Sequence, residues 1–351
     1  MDRRGFLVGS GLFIAGASAC DGASKPPLSI ARAQRSMPSL EGAVEWFNAA
    51  PLTVQQMRGK VVLVQFWTYS CINWMRTLPH VRAWAGKYRS KGLVVVGVHS
   101  PEFEFEKERD KVREAVSQLN VNYPVALDTR HAVWRAFRNS YWPALYFVDA
   151  NGIIRHEHFG EGEYEQSERT IQALLTRAGA NDVETDLVQV SGTGGQAQPD
   201  WSNLRSPEIY LGHGRARSFA SPSGFSYGRT RTYSAPQRLG MNSWALVGDW
   251  TVGPEAVSLA GANGQLSCRF HARDLHLVMG PARRGKVPFR ILIDGNPPGV
   301  AHGVDIDAEG RGLVVEHRLY QLVRQPGRVQ EAQFEIQFLE PGVEAFAFTF
   351  G

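Results

Sequence analysis

Val61-Val62-Leu63-Val64-Gln65-Phe66-Trp67-Thr68-Tyr69-Ser70-Cys71-Ile72-Asn73-Trp74 reads as a strand buried on both faces that runs straight into a helix. The apolar run ends in Trp67, four residues before Cys71, and Pro79 falls inside a helix-like stretch predicted to reach about Arg89. Cys71 therefore stands at a helix N-terminus, where unpaired backbone N–H groups and the helix dipole favour a thiolate. A thiolate placed there attacks a disulfide, and a second cysteine one helical turn on would resolve the mixed disulfide. That position is Trp74. A two-electron dithiol cycle within this motif is impossible, and Cys71 is the candidate nucleophile.

Working outward, Gly92 to His99 is a second continuous apolar run, as in a central strand. Pro101 to Leu119 is charged and amphipathic, with Phe103, Val112, Val116 and Leu119 as its buried stripe. A short strand from Val121, a helix from His131 to Phe137, and a strand from Ala144 follow. Asn151-Gly152 forms a hairpin turn into Ile153–Phe159, and a helix from Tyr164 closes the unit. Strands alternating with helices predict an α/β sandwich over 41–180.

The chain changes character after Ala180. Residues 181–205 read as a linker, Gly- and Gln-rich from Val190 to Pro199. Beyond it, alternating runs at Leu266–Phe270, Leu275–Met279, Val287–Ile293, Leu313–His317, Phe334–Phe338 and Phe346–Phe350 carry no helical period. They predict an all-β sandwich of jelly-roll type over 206–351. Phe346, Phe348 and Phe350 fall on one face, which places the last strand centrally. Cys268 shares a core face with Leu266 and Phe270, as a small hydrophobe.

The chain has 351 residues, 43% of them hydrophobic, with a net charge of +4. Its arginines are scattered, so nucleic acid is not an expected partner. Residues 1–19 read as a signal peptide, too short to span a membrane permanently. Arg3-Arg4-Gly5-Phe6-Leu7 resembles the twin-arginine export motif. Ala17-Ser18-Ala19 suits ordinary cleavage, while Ala17-Ser18-Ala19-Cys20 resembles a lipobox that would lipidate Cys20 and leave 20–40 as a tether. Export to the periplasm or cell envelope is expected, with membrane contact only through that anchor. His80, His99 and His131 lack metal-ligand spacing, and neither metal nor cofactor is expected.

The string Trp67-Thr68-Tyr69-Ser70-Cys71-Ile72-Asn73 resembles the soluble redoxin region of DipZ-type cytochrome c biogenesis proteins, thioredoxin-like relatives of the TlpA and ResA type. The second half is similar to the same family in Ser206–Gly212, Asn242–Leu246, Arg318–Val323 and Phe346–Gly351. The resemblance implies a thioredoxin-like domain followed by a carbohydrate-binding-module-like domain. It implies a cis bond before Pro143, with the Trp142 backbone offered to substrate. It also implies an acid six residues before the nucleophile, where this chain has Gln65. No segment here matches that family's multi-span membrane region. Trp67, Tyr69, Trp74 and Trp142 are expected as an aromatic rim around Cys71, supported by Thr68. Tyr210, Trp244, Trp250 and Tyr320 are candidates for stacking on sugar. Thr68-x-x-Cys71 is also similar to the peroxiredoxin motif, with Arg76 standing in for its arginine. The leading expectation is a one-cysteine, thiol-redox protein acting on a thiol or disulfide partner, its Cys71 pKa below the ~8.5 of a free thiol. The competing one is a non-catalytic envelope protein that binds peptide or carbohydrate.

Overall fold

The computed structural model describes residues 35–351. The predicted signal peptide, lipobox and most of the tether lie outside the described residues. Strand β1 (Arg35–Ser36) already belongs to the first sheet, which therefore takes in residues before the expected boundary at 41. After β2 (Glu45–Phe47) come β3 (Val61–Trp67), α1 (Ile72–Tyr88), β4 (Leu93–His99) and α2 (Arg109–Gln118). Next are β5 (Val125–Leu127), α3 (Ala132–Phe137), β6 (Ala144–Val148), β7 (Ile153–Phe159) and α4 (Tyr164–Arg177). The sheet runs β1-β7-β6-β3-β4-β5-β2, with β3 parallel to β4 and antiparallel to β6. Alternation along β3 explains its apolar run. Val61, Leu63 and Trp67 face α1, α2 and α4, whereas Val62, Val64 and Phe66 face α3 and the segment holding Met37 and Leu40. Covered on both sides, β3 is buried at every residue.

The expected linker is a strap. Val183 and Val188 pack on the first core, and the Val188 amide donates to Glu168 at 2.9 Å. A 3-10 turn at Gly194–Gln196 lies along α1, where Arg82 reaches Gln196. Backbone geometry, rather than flexibility, explains two of the glycines: a Cβ on Gly192 would lie 1.8 Å from the Gln196 carbonyl oxygen, and Gly194 has a φ of 55°.

The second domain is all-β and antiparallel, as expected. It comprises β8 (Ile209–Tyr210), β9 (Thr230–Tyr233), β10 (Trp244–Val252), β11 (Val257–Leu259), β12 (Gly264–His271) and β13 (Asp274–Pro281). Then come β14 (Val287–Ile293), β15 (Arg311–Val314), β16 (Arg318–Arg324), β17 (Glu331–Phe338) and β18 (Val343–Phe350). The predicted strand at Leu313–His317 thus stops early, since β15 ends at Val314 and residues 315–317 connect it to β16. The order is β15-β14-β17-β12-β10-β11-β18-β13-β16. β10 pairs with β12 up to Val247 and with β9 and β11 beyond it, so one strand serves both layers. It turns at Gly248, whose φ of 93° a side chain would strain and whose Cα side abuts Gly264. Rings from the two layers meet in the core, Phe270 against Phe350 and Phe334 against Phe348.

One register shift decides how the domains meet. Val278 pairs with Ala347, but Met279 pairs with Ala345, so Phe346 is the extra residue of a β-bulge. Phe348 and Phe350 stay in the sandwich core, whereas Phe346 leaves the face predicted for it. It packs with Val278, Leu319 and Ala347 against Ile72 and Phe103 of the first domain. Residues 35–351 form one unit.

Candidate functional site

Cys71 is the N-cap of α1, extended at φ −78° and ψ 113°, and its side chain is half-buried. Backbone N–H groups of Trp74 and Asn73 point to the sulphur and favour the thiolate, as the sequence suggested. They are outweighed. Burial holds the thiol well above its ordinary range, and the carboxylates of Glu102 and Glu208 push it further up. The expected lowered pKa is thus overturned, because the local helix terminus competes with burial against the first core and with carboxylates from other segments. Ile72, the residue after the cysteine, is buried in the domain joint.

The aromatic residues form a core, not a rim. Trp74 stacks on Trp67 with ring centroids 4.2 Å apart, both fully buried, and neither indole N–H has a hydrogen-bond partner. Trp67 meets His99 edge-on with ring centroids 4.8 Å apart, and Tyr69 stacks on the same imidazole at 5.7 Å. Burial pushes His99 down to about 3, so its ring is neutral. Gly97 makes room for the indole: a Cβ there would lie 2.9 Å from Trp67 Nε1. Trp142 sits elsewhere, on Trp134, with its indole N–H donating to the Ser100 carbonyl at 2.9 Å. The Trp142–Pro143 peptide is cis, as the resemblance implied.

Gln65 accepts a hydrogen bond from the Tyr123 hydroxyl at 2.8 Å and cannot titrate. A buried acid is nevertheless present, from another element. Glu106 accepts from the Ser70 hydroxyl at 2.5 Å and from the Glu102 and Phe103 amides, and burial raises it to about 7. Its only sequence signal is the position three residues after Phe103, from which a carboxylate can cap its own turn. Thr68 hydrogen-bonds toward His99, at 3.4 Å. Arg76 is 1% exposed; it pairs with Glu161 at 2.9 Å and donates to the Phe350 carbonyl, across the domain joint. The arginine that a peroxidase would need at the thiol is committed elsewhere.

The sugar-stacking candidates present no free faces. Trp244, Trp250 and Tyr320 are fully buried in the sandwich core. The Arg215 guanidinium covers the Tyr210 ring at 3.7 Å, and the Tyr210 hydroxyl joins Glu102. Cys268 is buried between Trp244 and Phe334 as expected, so it does not serve as a resolver for Cys71. Among the described residues, no group of three or more histidines, cysteines or carboxylates is arranged to hold a metal, and no helix is long and apolar enough to cross a membrane.

Comparison with known proteins places both halves. Residues 35–157 match the AhpC/TSA family, and residues 206–351 match the family described as thioredoxin like C-terminal domain. Protein DipZ of Mycobacterium tuberculosis is 36% identical over 265 residues, which are 74% of this chain and 36% of that protein. The chain thus spans about a third of the length of the DipZ proteins it matches. The thiol-disulfide oxidoreductase YkuV of Bacillus subtilis is 31% identical over 142 residues, 40% of this chain and 95% of YkuV. ResA of Bacillus cereus is 24% identical over 35% of this chain and 68% of its own. With the sheet order, the Cys71 N-cap and the cis bond before Pro143 already in view, the chain belongs to the thioredoxin-like redoxins, an AhpC/TSA domain with a thioredoxin-like C-terminal domain, homologous to DipZ and to the thiol-disulfide oxidoreductases YkuV and ResA.

Proposed function

We propose that this is an exported redoxin that works through one thiol, Cys71, forming a mixed disulfide that a partner's thiol resolves. The observation that carries this reading is the partly buried Cys71 at the N-cap of α1, with two backbone N–H groups aimed at its sulphur and an indole where a resolving thiol would stand. Attack on R–S–S–R breaks that bond, forms Cys71–S–S–R and releases R–S⁻, which takes a proton from water. The raised thiol sets the pH dependence. Below its pKa the group is the unreactive thiol, so reaction is slow at neutral pH and rises with pH to beyond the range of a free cysteine. The experiment is a pH–rate profile of iodoacetamide and hydroxyethyl disulfide on the folded chain, read at Cys71 by peptide mass. A Cys71 that is modified only on unfolding sinks the redox reading.

That outcome would favour the second reading, a binding protein on a redox scaffold, which rests on the burial of Ile72 in the joint and of the thiol against the first core. Export and lipidation rest on Arg3-Arg4 and on Cys20 after Ala17-Ser18-Ala19. The mature chain is expected to begin with diacylated Cys20, and an unmodified N-terminus in its mass spectrum would refute the anchor.

A further inference from the structure

Both domains place carboxylates beside the joint that buries Ile72, the residue after Cys71. Tyr210 Oη lies 2.7 Å from Glu102 Oε1 and 2.7 Å from Glu208 Oε2. Glu102 Oε1 also accepts from Arg215 Nη1 at 2.7 Å, and that guanidinium lies over the Tyr210 ring. A phenol has one proton, so it can serve only one of the two carboxylates at a time. Arg215 balances one negative charge. The second is unbalanced whenever Glu208 is ionised; burial, then Glu102, raise its pKa. Tyr210 packs on the cluster of Ile72 and Phe103, the chain neighbours of Cys71 and Glu102, so the two carboxylates bonded to its hydroxyl lie beside the Cys71 turn, and both raise the thiol pKa. Around them, Glu104 and Glu255 add negative charge, since the Glu104 amide donates to Glu255 across the same joint, and Lys107 answers Glu104.

We infer that Glu102 and Glu208 make Cys71 selective for disulfides and thiols with positive charge beside the sulphur, such as a cysteine flanked by lysine or arginine or a small aminothiol. This rests on the one-thiol reading above and names its substrate class. Attack brings the substituent of the incoming sulphur to the carboxylates, where a cation is attracted and a carboxylate repelled. Because one thiolate attacks every disulfide, its own pKa cancels from ratios of rates.

The test uses the full chain, with cystamine as the cationic disulfide, hydroxyethyl disulfide as the neutral one and glutathione disulfide as the anionic one. Assays at pH 9 keep Glu208 ionised, and mixed-disulfide formation is read at Cys71 by peptide mass. Cystamine is expected to react about fivefold faster than the neutral disulfide, and glutathione disulfide about fivefold slower. The spread should shrink in 1 M salt, where the screening length is ~3 Å. It should also shrink in Glu208→Gln, which keeps the side chain's shape. Equal rates for the three disulfides, or a spread unchanged by both salt and Glu208→Gln, would overturn the selectivity while leaving the one-thiol reading intact. Failure of the neutral disulfide to react with folded protein would remove both.

Discussion

A Trp74→Cys chain is expected to gain catalytic disulfide reduction and to lose roughly 3–5 kcal/mol of stability, the range for emptying a buried tryptophan site. The gain follows from chemistry: the new thiol stands one helical turn from Cys71 and can attack a mixed disulfide there. The loss follows from packing. Trp74 is fully buried and stacked on Trp67 with ring centroids 4.2 Å apart, so the smaller side chain leaves the face of Trp67 uncovered. Turnover should stay slow, because Gln65 cannot take the proton of the second thiol. Insulin reduction and urea denaturation measure the two effects. A variant within about 1 kcal/mol of the parent would mean that the indole pair is not a packing unit.

Arg76→Ala should cost about 3–5 kcal/mol by leaving Glu161 buried without its partner. Glu161 is 5% exposed, and burial already raises its pKa despite the neighbouring guanidinium. The same substitution removes the donor to the Phe350 carbonyl, so the joint between the domains loosens with it. Replacing both partners at once, Arg76→Met with Glu161→Gln, should recover much of the loss, since no buried charge is then unmatched. Cys71 should also alkylate faster in Arg76→Ala, as loosening returns water to the sulphur. Unchanged stability together with an unchanged alkylation rate would show that the pair fastens nothing.

What the sequence revealed was local. The period-two pattern of Leu266, Cys268 and Phe270 placed the second cysteine in the core, and the run from Val61 to Trp67 placed Cys71 at a helix N-terminus. Resemblance added the cis bond at Pro143. What escaped the reading lies in pairs far apart in the chain. Glu102 meets Tyr210, and Arg76 meets Phe350, with nothing in either local pattern to announce it. The sign of the Cys71 shift failed for this reason: the favourable N–H groups are neighbours in sequence, but two of the opposing carboxylate and burial contributions arrive with other segments. Phe346 escaped because one inserted residue reverses a strand's faces, and alternation alone carries no mark of where that happens. Trp244, Trp250 and Tyr320 show the ambiguity of aromatic residues, which serve a core as readily as a sugar platform.

The bulge at Phe346 also bears on how the molecule is made. β18 is synthesised after every other described strand, and it carries both the ring that covers Ile72 and the carbonyl that receives Arg76. Domains generally fold as units with the N-terminal one first. The redoxin domain can therefore reach its native form while Ile72 is still bare, and the joint beside Cys71 closes only when β18 arrives. Any adduct that Cys71 acquires on the way would be in place before its neighbour Ile72 is covered.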